Sequence, residues 1–383
     1  MADSFALRVD NSSAHSKRQF GHVDGTINEG VVDVSVDKYD KTYTGRFYEE
    51  DMRHLIDDYF RVEVKNEQHV PLGDLGTRPV IFIANHSAMG MSWDNIVFDA
   101  VMYRRLKEFH ASGEKALDRK PRRLIDPLLI GGKQSLNLFS IKDWWEKVGC
   151  LPAALKSYEY LMERNIPVFV SPEGTDASSK SFTKRYRLQP FSTSFILMAL
   201  KYDAEVVPVT ITNAEYTRPF NFRIDALHRF VRRYLGMPLF PIGPAVTQIL
   251  FPATYLTPYP VKLIYEFQKP VRFQGDAATV TRDELKRMAE QFRQQFQTMV
   301  DDSVRTYHRP YDLIGFLKRF IMSPNRRLMI PFFWHGKFLK TAGYPGWMAL
   351  AYKVPFGFPL VKLAHIWFER RRIQAPGKPL DSC

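Results

Sequence analysis

Apolar positions along this chain fall into short blocks separated by polar turns. Val80-Ile81-Phe82-Ile83-Ala84 is a continuous apolar run rich in β-branched residues, the pattern of a strand buried on both faces. Pro167-Val168-Phe169-Val170 repeats it, and so does Ala204-Glu205-Val206-Val207-Pro208-Val209-Thr210-Ile211. Helical spacing fills the gaps. Asn95 to Leu106 reads as a helix, Ala153 to Arg164 places Ala154, Leu155, Tyr158 and Leu161 on one stripe, and Phe191 to Leu200 is an apolar helix. Strand alternating with helix predicts an α/β fold with a mainly parallel or mixed sheet flanked by helices.

The flanks are less regular. Residues 1–48 form a polar arm with one strand candidate at Val31-Val36. Glu49 to Tyr59 has helical spacing at Met52, Leu55, Ile56 and Tyr59, and Phe60 to Val64 alternates like a strand. His110 to Asn137 reads as a structureless or lid-like stretch in which Arg119, Lys120, Arg122 and Arg123 cluster. Val261 to Phe267 is a strand candidate, and Thr281 to Val304 an amphipathic helix with Thr281 and Glu284 spaced as a capping box. The pattern divides the chain into an arm (1–48), an α/β domain (49–275) and a helical, aromatic-rich, basic C-terminal region (276–383).

Charge narrows the partners. Lys and Arg number 54 against 41 Asp and Glu, a net charge of +13. That balance suits lipid headgroups, nucleic acid or phosphorylated donors, and does not choose between them; a basic surface that only aids solubility is the plain alternative. Two cysteines, Cys150 and Cys383, exclude a disulfide framework and point to a reducing compartment. C-x-x-C and H-E-x-x-H are absent, so no metal site is expected. No nucleic-acid-binding motif accompanies the charge.

The N-terminus lacks a continuous apolar segment of the signal-peptide kind, and the terminal cysteine does not make a prenylation box. No run reaches the eighteen apolar residues of a spanning helix. Any membrane contact is therefore expected to be peripheral. Leu227 to Leu235 mixes cations with large apolar groups, and Lys318, Arg319, Arg326 and Arg327 flank Phe320-Ile321-Met322. Trp334, Phe338, Trp347, Phe356 and Trp367 follow. This composition suits a headgroup layer, and equally an aromatic core with a basic rind.

Three polar clusters follow the three strands, on the sheet edge where α/β proteins bind ligands. They are Asn85-His86-Ser87 with Asp94, then Glu173-Gly174-Thr175, then the exit of the Pro208-Val209-Thr210 strand. A polar histidine directly after a buried strand has few structural duties, and a satisfied structural histidine is the alternative.

These pieces resemble the glycerolipid acyltransferase family, which includes the lysophosphatidate acyltransferases. That family carries Asn-His-x4-Asp after one strand, Pro-Glu-Gly-Thr after a later one and then a Val-Pro-Val strand. Here the corresponding segments are IANHSAMGMSWDN, VFVSPEGTDASSKSF and AEVVPVTI, in that order, over about Val80 to Asn213. The resemblance implies a glycerolipid-acyltransferase-like fold. It implies transfer of a fatty-acyl group from acyl-CoA or acyl-carrier protein to the hydroxyl of a lysophospholipid, glyceride or other lipid acceptor. No cofactor beyond the donor is implied. His86 would be the general base, Asp94 its orienting carboxylate, and Ser87 or a backbone N–H an oxyanion donor. Glu173, Gly174 and Thr175 would shape the acceptor site, with Gly174 letting the backbone turn. The setting expected is the cytoplasmic face of an anionic membrane.

Two departures stand out. Seven residues separate His86 from Asp94 where the family has four. On a continuous helix that changes their relative angle by about 300°. Looping out Ala88-Met89-Gly90 would restore the spacing; Asp99, read as a solvated or cap residue, is the reserve carboxylate. Asp176 stands where phosphate-using members have Arg, leaving Lys133, Lys180, Lys184 and Arg185 as replacement cations or as plain surface charges. The rival reading is a catalytically inactive lipid-binding or membrane-tethering protein on the same fold.

Overall fold

The computed structural model describes residues 37–87, 92–130, 143–174, 177, 179–235, 257–324 and 326–354, with the single positions 360, 363 and 367. The elements run α1 (Lys41–Arg46), β1 (Glu63–Lys65), β2 (Val80–Ala84), α2 (Trp93–His110), α3 (Gly113–Arg119), β3 (Arg122–Ile125), α4 (Trp144–Lys147), β4 (Leu151–Pro152), α5 (Leu155–Met162), β5 (Val168–Val170), α6 (Ser194–Lys201), β6 (Glu205–Thr212), α7 (Asp225–Leu235), β7 (Ile264–Phe267), α8 (Arg282–Tyr307), α9 (Leu313–Met322) and α10 (Trp334–Thr341). The strands form one seven-stranded sheet in the order β1-β7-β6-β2-β5-β3-β4. Among the described strand pairs β6–β7 alone is antiparallel, so the sheet is mixed, and helices flank it.

Strand β2 lies at the centre, with Phe82 opposite Phe169 on β5 and Val207 on β6. Its side chains alternate between two cores, as a pleated strand requires. Val80, Phe82 and Ala84 join Phe98, Tyr265 and Trp334 on one face. Ile81 and Ile83 join Tyr158, Phe195 and Phe292 on the other. Both faces are covered, which is why the sequence shows an uninterrupted apolar run rather than alternation. Phe98 of α2 stacks on Phe169 with ring centroids 4.2 Å apart, fixing α2 across the strands.

The flanks differ from the sequence reading. Tyr43, Phe47 and Tyr48 are buried in the first core, so the chain is folded well before residue 48. The helical spacing of Glu49–Tyr59 is realised as π-helical turns over Phe47–Met52 and Leu55–Tyr59, and the strand expected at Phe60–Val64 shifts to Glu63–Lys65. Val31-Val36 lies outside the described residues.

The stretch read as structureless from His110 contains α3 and β3. Its cations turn inward: Lys120, Arg122 and Arg123 are all buried. Arg123 Nε lies 2.8 Å from Asp99 Oδ2 with both side chains buried, so Asp99 is a core ion-pair partner and not a solvated cap residue.

The chain beyond residue 275 shares these cores. The capping box at Thr281 and Glu284 forms, and α8 contributes Leu285, Phe292, Phe296 and Val300 to the second core. Trp334 and Phe338 of α10 sit in the first. Residue 275 therefore marks no break in the apolar interior.

Candidate active site

Strand β2 ends by delivering Asn85, His86 and Ser87 to the carboxyl edge of the sheet. Asn85 locks this exit to β6: its Nδ2 donates to the Ile211 carbonyl at 3.0 Å and its Oδ1 accepts the Ile211 N–H at 2.7 Å. An amide side chain that bridges two strand ends in both directions fixes the position of the next residue.

That residue, His86, faces Asp94. Nδ1 lies 3.6 Å from Asp94 Oδ2, and the two side chains are 12% and 0% exposed. The distance is that of an ion pair just beyond hydrogen-bond length. In enzymes at large, such contacts are often long without substrate and tighten when it binds. Asp94 sits in the first turn of α2, where the helix dipole favours a carboxylate, and its Oδ2 also accepts the Ser87 N–H at 2.9 Å. The Tyr265 hydroxyl donates to the Asp94 carbonyl at 2.6 Å and so pins the start of the helix. Seven intervening residues thus still bring carboxylate and imidazole together. Ala88-Met89-Gly90 lies outside the described residues.

Burial opposes charge on both groups, and mutual attraction outweighs it. The His86 imidazole is desolvated, yet Asp94 and, more weakly, Glu173 raise its pKa above the ordinary 6.5. Asp94 is likewise desolvated, yet His86 and the Ser87 amide hold its carboxyl below the usual range.

Ser92 was not anticipated. Directly before α2 it reads as a helix cap, but it makes no side-chain cap bond. Its Oγ lies 3.1 Å from His86 Nε2 instead, on the opposite side of the ring from Asp94. Hydroxyl, imidazole and carboxylate follow one another in the order needed to move a proton from an alcohol onto Nε2 while the carboxylate stabilises the resulting imidazolium.

The sequence of the same region has a family match. Residues 61–212 match the family model described as Acyltransferase. Over that stretch the chain carries an acyltransferase domain. A crystal structure of the 1-acyl-sn-glycerophosphate (LPA) acyltransferase PlsC from Thermotoga maritima is similar over 68% of this chain and 79% of that one, at 15% identity and a TM-score of 0.37. No curated protein matches the chain in sequence.

Within this domain the second cluster supports the first. Glu173 follows β5 and is fully buried. Its Oε1 accepts the His86 N–H at 3.1 Å and its Oε2 the Gln189 N–H at 2.8 Å. Burial raises its pKa; Lys180 and the two amides offset part of that. Gly174 has φ +62°, the left-handed region that favours glycine, as the sequence suggested. Thr175, Asp176 and Lys133 lie outside the described residues.

Lys180 occupies an unexpected place. It is buried, with Nζ 3.0 Å from Glu215 and 3.9 Å from Glu173, and it donates to the His86 carbonyl at 3.2 Å. Desolvation disfavours its charge, but Glu215 and Glu173 raise its pKa all the same. A lysine committed to two carboxylates and a backbone carbonyl is a scaffold element, and not a replacement phosphate ligand on an open surface. Lys184 is exposed. Arg185 is also exposed, its guanidinium 4.9 Å from the Phe182 ring centroid and its Nε donating to the Tyr216 hydroxyl at 3.1 Å. Among the described residues no cluster of three His, Cys, Asp or Glu side chains could hold a metal ion.

Proposed function

We infer that this acyltransferase moves a fatty-acyl group from acyl-CoA or acyl-carrier protein onto the hydroxyl of a lipid acceptor, a lysophospholipid, glyceride or other lipid alcohol, at the surface of an anionic membrane. One observation carries the reading: the His86 ring is held between the Asp94 carboxylate at Nδ1 and a hydroxyl at Nε2.

The Ser92 oxygen marks the place for the acceptor oxygen. The acceptor O–H gives its proton to Nε2 as the oxygen attacks the thioester carbonyl. The carbonyl becomes a tetrahedral oxyanion, which needs an N–H or O–H donor such as the Ser87 hydroxyl. Collapse breaks the C–S bond, and the proton on His86 passes to the departing thiolate. Asp94 keeps the imidazole in the tautomer with a free Nε2 lone pair. No helix among the described residues is long and apolar enough to cross a membrane, so the acceptor would be drawn from a bilayer on which the protein lies.

The test is an acceptor screen. Purified protein, labelled long-chain acyl-CoA and acyl-carrier protein are offered lysophospholipids, glycerides and glycolipids in turn. The reading expects labelled product with at least one acceptor and one donor. Lipid binding without any transfer would instead favour a catalytically inactive lipid-binding protein on this fold.

A further inference from the structure

Helix α9 carries more apolar surface than its packing uses, because two adjoining faces are apolar and only one is turned inward. Phe316 and Phe320 pack inward against the first core; the Phe316 ring lies 5.9 Å from that of Tyr59, and the Arg61 guanidinium covers it at 5.4 Å. The adjoining face carries Leu313, Ile314, Leu317 and Ile321, which are 70%, 84%, 57% and 59% exposed. At 3.6 residues per turn these four fall within an arc of about 100°. Asp312 caps the helix by accepting the Gly315 N–H at 2.9 Å, so the exposed aliphatic row sits on a formed helix.

The row continues toward the catalytic edge through a chain of rings. Tyr311, just before α9, donates to the Tyr216 carbonyl at 3.2 Å, with the two rings 5.9 Å apart. Tyr216 meets Phe182 at 5.2 Å, and Phe182 meets the exposed Phe220 at 5.5 Å. The two middle rings are joined to the site through the backbone. Phe182 follows Lys180, which holds the His86 carbonyl, and Tyr216 follows β6, which Asn85 ties to β2.

Cations border the row. Lys318 and Arg319 are exposed on α9 itself, which contains no acidic residue, and Arg326 and Arg327 are exposed just beyond it. Beside Tyr216 a cleft of about 360 Å³ is lined by Arg185, Arg187 and His308, with Asp301. Exposed aliphatic side chains ringed by Lys and Arg match the two layers of an anionic bilayer, acyl chains below and phosphates above.

We propose that the outward face of α9, continued through Tyr311, Tyr216 and Phe182 to Phe220, is the surface by which this acyltransferase docks on an anionic lipid bilayer. The proposal rests on the functional reading that its acceptor is a lipid. It names the element that holds the catalytic edge against the membrane.

The experiment uses the full chain and vesicle flotation. Vesicles of phosphatidylcholine mixed with phosphatidylglycerol are compared with phosphatidylcholine alone. The parent is expected to float with the anionic vesicles, and the double variant Ile314→Asp, Leu317→Asp to partition about tenfold or more weakly. Phe109→Asp, an exposed site at the far end of α2, is the control and should float like the parent. Far-UV circular dichroism and turnover of short-chain, water-soluble donor and acceptor should be the same in all three.

Undiminished flotation of the double variant overturns the proposal. So does an equal loss in Phe109→Asp, a parent that does not bind anionic vesicles, or a dimer that the double variant converts to monomer, which would make this face a self-association surface. Vesicle binding through α9 without turnover on any acceptor would leave the docking surface standing and remove the enzymatic reading.

Discussion

The Glu173 carboxylate accepts the main-chain N–H of His86 at 3.1 Å, reaching from the exit of β5 to the exit of the neighbouring β2. Lys180 donates to the carbonyl of the same residue at 3.2 Å. Both backbone groups of His86 are thus held by charged side chains that neutralise each other, and the imidazole inherits their rigidity. Glu173→Gln keeps the size but sets an amide N–H against either the His86 or the Gln189 N–H. It is expected to lower kcat by about a hundredfold, the scale of a 1 Å misplacement, while KM for the acceptor changes little. A rise in KM at constant kcat would show that Glu173 binds acceptor instead of positioning His86.

The pH profile follows from the His86–Asp94 pair. As the proposed base His86 must be neutral to act, and although burial lowers its pKa, Asp94 raises it to above 6.5. The acid limb of kcat/KM is therefore expected above pH 6.5, and Asp94→Asn should move it to lower pH while cutting the rate. For stability the signs are opposite. The raised His86 contributes fully below its unfolded value and loses that contribution as pH rises through its folded one. The depressed Asp94 contributes above its unfolded value and loses it as pH falls through its folded one. An acid limb that Asp94→Asn leaves in place would assign it to another group.

How much of this was legible in the sequence depended on the residue type. Val80–Ala84, Val168–Val170 and Val206–Ile211 were readable as strands because burial on both faces leaves an uninterrupted apolar run, and the polar residues after them were readable as a site because the sheet has one ligand-binding edge. Lys180, Arg123 and Asp99 were not. A charged residue in a sequence reads as solvent-facing, and only its partner, far away in the chain, permits burial. Ser92 lay in the connection before the helix expected from Asn95, where nothing in the hydrophobic pattern singles out a hydroxyl. The burial of Tyr43 and Phe47 was hidden by the polar residues around them, because six-residue α1 is too short to show a periodic stripe.

Ser92 distinguishes two routes. If its hydroxyl only marks the acceptor's place, Ser92→Ala should retain transfer within about tenfold of the parent, in a sequential kinetic pattern. A loss as large as that of a His86 variant, with ping-pong kinetics and an acylated Ser92 in the mass spectrum, would replace direct transfer by a covalent route.

The buried Asp99–Arg123 pair makes a stability prediction separate from catalysis. Removing one partner of such a pair strands the other charge in the core, a cost of about 3–5 kcal/mol. Asp99→Ala is expected to lower unfolding free energy by about that amount in urea. Here Lys120, buried nearby with its own pKa pushed down by desolvation to about 8, would add to the uncompensated positive charge. A change below about 1 kcal/mol would mean that solvent reaches the pair.

The most direct measurement is single-turnover acyl transfer by purified His86→Ala beside the parent, at saturating donor and with the acceptor found in the screen. The account predicts that the variant folds, binds acyl-CoA like the parent and loses at least about a thousandfold in transfer rate, the scale of a general base. Transfer within about tenfold of the parent would contradict it, since no other group described here is placed to take the acceptor's proton.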